Sequence, residues 1–154
     1  MTDTSAASGW GRVVFAYDGS DLAKAAIDEA GRQLAPGRDA LVLTIWEPFN
    51  VGFVPPSASQ FDAAQAAGVE RAAEQTAAEG AALADTAGFR AQSRALQSAP
   101  TWKGIVEFAD EHDADIIVLG SHGRTGLAGR LLGSVAGAVA AHSDRSVLIV
   151  HRRA

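Results

Sequence analysis

The chain contains no cysteine, which excludes disulfide frameworks, thiolate nucleophiles, zinc-thiolate centres and iron-sulfur ligation together. It argues equally against a small secreted scaffold held by disulfides, and a reducing, cytoplasmic setting is the expectation. A long apolar run is also missing. The longest weakly polar stretch, Leu131 to Ala141, is interrupted by Gly133, Ser134 and Gly137, whereas a bilayer span needs roughly 20 apolar residues. No membrane span is expected. Met1 to Ser8 has neither the positive start nor the apolar stretch of a signal peptide. Residues 1–11 read as a short disordered lead, and residues 12–154 as one domain. Positive charge is scarce too: 13 Lys and Arg against 18 Asp and Glu give a net charge of -5. Nucleic-acid binding needs clustered cations and is not expected. What remains, 154 residues of which 47% are hydrophobic, has the size and polarity of one soluble domain.

The chain alternates two patterns. Arg12 to Tyr17, Ala40 to Trp46, Asp115 to Leu119 and Ser146 to Val150 are short, β-rich apolar runs without polar alternation, as in strands covered on both faces. Arg90 to Leu96 alternates ambiguously, and its polarity suits a sheet edge. Between these runs lie helical patterns. The first opens at Asp18-Gly19-Ser20-Asp21, places Ala23, Ile27, Ala30 and Leu34 on one face and stops at Pro36-Gly37. A long Ala-rich helix with a small-residue face covers Asp62 to Thr86, and shorter helices cover Thr101 to His112 and Gly133 to His142. Glu47 to Gln60, with Pro48, Gly52, Pro55 and Pro56, reads as a long loop. Five strands alternating with four helices predict an α/β fold: an open, doubly wound, parallel sheet.

In such a sheet ligands sit beyond the carboxyl ends of the strands, where the strand order reverses. Two strand ends are chemically distinctive. The first strand ends at Asp18. The fourth runs into a segment holding Gly120, Gly123, Gly126, Gly129, Gly133 and Gly137, six of the 16 glycines. Glycine permits positive φ and removes the side chain that would keep an anion from backbone N–H groups. Gly133-Ser134 then opens a helix, whose first-turn amides and dipole favour negative charge. Strand, glycine loop and helix start together form a polyphosphate cradle; the alternative is an ordinary connection whose glycines serve turns. Neither Gly-x-x-x-x-Gly-Lys-Ser/Thr nor a Gly-x-Gly-x-x-Gly after the first strand occurs, which argues against a P-loop NTPase and a Rossmann dehydrogenase. No His-x-x-x-His pair and no Gly-x-Ser-x-Gly is present, so no catalytic or metal-binding residues are assigned.

The segment contains Gly120, two residues, Gly123, nine residues, Gly133 and Ser134. That spacing resembles the nucleotide-binding signature of the universal stress protein family, G-x2-G-x9-G-S/T. The resemblance runs from Val13 to His151 and takes in Val14 to Ser20, Leu43-Thr44-Ile45, Asp115 to Arg124, Leu132 to Val135 and Val147 to Val150. It implies strand order 3-2-1-4-5, ATP held between strands 1 and 4, and a homodimer paired through Val147, Leu148, Ile149 and Val150; no metal ligands are assigned, and any Mg²⁺ would come with the nucleotide phosphates.

Carried over by position, Asp18 would meet the ribose or adenine side and Ile45 would contact adenine. Gly120, Gly123, Gly133, Ser134 and Val135 would wrap ribose and phosphates, with His122 and Arg124 beside them. A carboxylate suits sugar hydroxyls and backbone amides suit phosphate oxygens. Each role has a plainer counterpart: an N-cap for Asp18, core burial for Ile45, a packed loop imidazole for His122, and surface exposure for Arg124 and Arg130. The sequence departs from the family pattern at Tyr17, whose ring would narrow the cleft or hydrogen-bond at its rim, at Ala136, which lacks a hydroxyl donor, and at Ser146, where proline is common. The expected function is an ATP-binding regulatory module of the stress response with little or no hydrolysis. The alternatives are a weak Mg²⁺-dependent ATPase or a binder of AMP or cyclic AMP.

Overall fold

The structure is a computed structural model that describes residues 11–47, 59–123 and 132–152. The elements are β1 (Arg12–Ala16), α1 (Asp21–Gln33), β2 (Asp39–Trp46), α2 (Ser59–Thr86), β3 (Arg90–Gln97), α3 (Thr101–Glu111), β4 (Ala114–Gly120), α4 (Ser134–His142) and β5 (Ser146–Val150). All four strand pairings are parallel and the order is β3-β2-β1-β4-β5, the doubly wound sheet expected from the alternating pattern. The polar Arg90 run is an edge strand, as its composition suggests. Several boundaries differ from the sequence reading, most of them by one residue. β1 ends at Ala16, one residue short, and α2 begins at Ser59 rather than Asp62, because no helix breaker stands between Pro56 and Asp62. Most of the expected long loop, residues 48–58, and residues 1–10 of the expected lead lie outside the described residues.

Why the strands carry no alternation is visible in β1, the middle strand. Val13 and Phe15 face one core layer with α1 and α2, while Val14 faces the other with α3 and α4. All three are buried. In the first layer Phe15 meets Phe89 edge to face, with ring centroids 5.2 Å apart, a geometry worth about 0.5–1.5 kcal/mol beyond burial. The small-residue face of α2, Ala73, Ala77, Ala81 and Ala84, is buried there. It lets the helix lie so close that a Cβ at Gly80 would stand 2.6 Å from the Tyr17 ring and 2.7 Å from a Val42 methyl.

The two ends of the sheet are treated differently. At the amino ends of the strands, arginines stitch the backbone: Arg12 donates to the His112 carbonyl (3.1 Å), Arg38 to that of Gly11 (2.9 Å), and Arg145 to that of Ala114 (2.7 Å). Arg145 also reaches Asp110 and Asp113, whose hydrogen bonds push its guanidinium pKa above the usual arginine value. Those two carboxylates are therefore engaged in ion pairs at the surface. At the carboxyl ends no such arginine bonds occur among the described residues, and a cleft lies where β1 and β4 run side by side. No helix among the described residues is long and apolar enough to cross a membrane.

Candidate functional site

The cleft has a volume of ≈ 400 Å³, within the range of about 300–1,000 Å³ usual for small-molecule sites. Asp18 stands in its floor. The turn Asp18-Gly19-Ser20 needs glycine in its middle, since Gly19 has φ 81°. One Asp18 oxygen, Oδ1, accepts the Ser20 amide at 2.9 Å. Ser20 itself caps α1, its Oγ accepting the Ala23 amide at 3.1 Å. The N-cap alternative for Asp18 thus belongs to Ser20, and the other Asp18 oxygen, Oδ2, points towards Gly123, where an added Cβ would lie 2.8 Å away.

On the β4 side, the segment leaving the strand is anchored before and after the residues outside the described set. Ser121 donates to the Val150 carbonyl and accepts from the Gly133 amide, each at 2.8 Å. Gly133 is pressed so closely on this backbone that a Cβ would meet the Ser121 oxygen at 2.7 Å. Gly120, Gly123 and Gly133 therefore serve close approach. None of the three has a positive φ, which corrects the half of the sequence argument that invoked left-handed backbone: here the missing side chain matters, and the backbone twist does not.

Gly133 caps α4 without a side-chain hydrogen bond, and the first helical bond is the one from Gly137 to the Gly133 carbonyl, 2.9 Å. The amides of Ser134, Val135 and Ala136 are left without acceptors inside the helix, and all three residues line the cleft. Beside them, His122 places Nδ1 3.1 Å from Ser121 Oγ, while its buried Nε2 finds no partner among the described residues. Leaving such a group unpaired costs about 1–3 kcal/mol. Amides without acceptors inside the helix, an imidazole nitrogen with no partner among the described residues, and three glycines at points of close approach make a surface suited to a phosphate.

On the β2 side the wall is apolar. Leu43 and Ile45 come from β2, and Thr101 and Ile105 from the first turns of α3. Of the residues singled out in the sequence, Asp18, Ile45, Gly120, His122, Gly123, Gly133, Ser134 and Val135 all line this one cleft. Arg124 and Arg130 lie outside the described residues.

A family model described as the universal stress protein family matches residues 9–151. The chain belongs to the universal stress protein family. A universal stress protein of Mycolicibacterium smegmatis is 32% identical over 145 residues, which are 92% of this chain and 46% of the relative, so the chain spans less than half of that protein. Among solved structures, MJ0577 of Methanocaldococcus jannaschii superposes with a TM-score of 0.80 at 23% identity, covering 94% of this chain and 98% of that one; at this identity the likeness concerns the fold. A universal stress protein solved in complex with cAMP is 32% identical, with a TM-score of 0.57, covering 92% of this chain and 97% of that one.

Within this universal stress protein fold, two features depart from the sequence reading. Tyr17 lines the cleft, but its ring packs in the core layer under α2, and its hydroxyl donates to Glu79 Oε1 at 3.0 Å. The room made by Gly80 explains this. Thr101, Ile105, Leu43 and Leu132 line the cleft without having been singled out. Leu43 sits two residues before Ile45 on the same strand face, a signal available in the sequence, but Thr101 and Ile105 arrive from a distant helix with none.

Proposed function

We propose that this chain binds ATP in the cleft and serves as a nucleotide-occupied regulatory module of the stress response, with little or no hydrolysis. The observation that carries the reading is the amino terminus of α4, uncapped by any side chain among the described residues, in one cleft with Gly120 to Gly123, where His122 Nε2 has no partner among those residues. Phosphates belong at that end, held by the amides of Ser134, Val135 and Ala136 and by the glycine loop, with Arg124 close in sequence to add positive charge. Asp18 takes ribose hydroxyls, and the base lies against Ile45. Among the described residues no group of three acidic or histidine side chains could hold a metal ion, so Mg²⁺ enters bound to the phosphates.

The test is direct. Purified protein is denatured and its supernatant analysed for nucleotide, and the nucleotide-free protein is titrated with ATP by calorimetry. Bound adenine nucleotide or saturable ATP binding is expected; a folded sample with neither overturns the reading. A second reading, AMP or cyclic AMP as the ligand, draws support from the 32% identical relative in complex with cAMP. Competition titrations rank the three. Release of phosphate above background on adding Mg²⁺ would instead favour the weak ATPase.

The reading extends to a homodimer, in a cytoplasmic setting. β5 is an edge strand: it pairs with β4 on one side, and Val147, Leu148 and Ile149 are only half-buried. An apolar edge of this kind needs covering. Ile149→Lys is expected to convert a dimer into a folded monomer in sedimentation, and a variant that stays dimeric would count against this interface.

A further inference from the structure

Glu47 follows β2 directly and lies outside the nucleotide signature. Its Oε1 accepts two hydrogen bonds from the first residue of α3, from the Thr101 amide at 3.1 Å and from Thr101 Oγ1 at 2.9 Å. The residue at the N-cap position, Pro100, supplies no side-chain bond, so the carboxylate is the cap, contributed from 54 residues away. Directly behind this contact, α3 is pressed onto the sheet: a Cβ at Gly104 would lie 2.6 Å from Ser98 Cβ and 3.1 Å from Ile45 Cδ1. Thr101 and Ile105 on α3, and Ile45 on β2, form the apolar wall of the cleft. The bond from Glu47 thus joins the two elements whose separation sets the width of that wall.

We propose that Glu47 is a positioning residue for the base end of the cleft. It latches the first turn of α3 to the end of β2, so that a planar base enters a slot of set width between Ile45 and the α3 side chains. By occupying the Thr101 amide and setting a negative charge at the start of α3, it also disfavours phosphate at that end, which fixes the direction in which a nucleotide lies. The proposal rests on the nucleotide reading above, and it predicts a split between the two ends of the ligand. Glu47→Ala should weaken ATP roughly tenfold while leaving inorganic tripolyphosphate, measured by competition, within twofold. Glu47→Gln keeps an oxygen that accepts both Thr101 bonds and should restore ATP binding to within threefold of the parent. Thr101→Val removes only the hydroxyl bond and should fall between the two, which keeps the test open should Glu47→Ala fold poorly.

The experiment is calorimetric titration of the full chain and these variants with ATP and tripolyphosphate, alongside amide exchange at Thr101 without ligand. Exchange there should quicken in Glu47→Ala and not in Glu47→Gln. Equal loss of ATP and tripolyphosphate, an unchanged ATP affinity in Glu47→Ala, or Gln and Ala variants that behave alike would overturn the positioning role alone. A parent protein that binds neither probe overturns the nucleotide reading, and this role with it.

Discussion

Two helices start at the same cleft, and they start differently. α3 begins under a carboxylate, with Glu47 Oε1 accepting from the amide and hydroxyl of Thr101. α4 begins with Gly133, which offers its first turn no side-chain acceptor. Both amino termini carry the partial positive charge of the helix dipole. At α3 an internal anion answers it; at α4 no side chain among the described residues does. With glycine at its N-cap, α4 forgoes only about a few tenths of a kcal/mol against a side-chain cap, while α3 has one. The same comparison separates the walls: apolar side chains from β2 and α3 stand beside the satisfied terminus, glycines and backbone amides beside the bare one. A ligand with a flat apolar end and an anionic end fits this in one orientation.

The largest expected effect comes from filling the bare end. Gly123→Val places a branched side chain in the phosphate space, and among the described residues only the Asp18 carboxylate lies within 4 Å of its Cβ. The fold should survive for that reason. Overpacking costs roughly 1–3 kcal/mol and each tenfold in affinity is about 1.4 kcal/mol, so ATP affinity should fall about 100-fold with an unchanged circular dichroism spectrum. Unchanged affinity would show that the loop is a mere connector. A smaller effect is expected from making α4 resemble α3. Ser134→Asp sets a carboxylate in the first turn at an exposed position. Complementing the dipole should stabilise the ligand-free protein by about 0.3–1 kcal/mol, a rise of about 1–3 °C in Tm at this chain length. The same charge repels phosphate and should weaken ATP roughly tenfold. Thermal melts and titrations moving in the same direction would contradict the assignment of the anionic end to α4.

Legibility in the sequence followed whether a residue's partners were local. Val13, Val14 and Phe15 announce a doubly covered strand because both faces of β1 are buried by the fold itself, and the spacing from Gly120 to Ser134 marks one side of the cleft because that side is one continuous segment. The other side is assembled from two segments. Glu47 stands among prolines and glycines with no periodicity, and only the fold brings Thr101 to it. Tyr17 was legible as a departure from the family pattern, yet the direction of its ring depends on the space left by Gly80 in a helix 63 residues further along. Gly120, Gly123 and Gly133 do line the cleft, though not for the left-handed backbone, since a sequence cannot distinguish a glycine needed for φ from one needed for room.

The third helix starting at this cleft sharpens the comparison with the smallest change. α1 is capped by the neutral Ser20 hydroxyl, and Ser20 is itself held by Asp18 through its backbone amide. Ser20→Ala removes the cap but leaves the amide that orients the Asp18 carboxylate. Loss of the cap should cost about 1 kcal/mol, a fall of about 2–4 °C in Tm. If capping and ligand binding are separate duties at α1, ATP affinity should stay within twofold in calorimetric titration. A larger loss would mean that the Ser20 hydroxyl holds Asp18 in place as well as the helix, and that the capped termini of α1 and α3 shape the site through the same device.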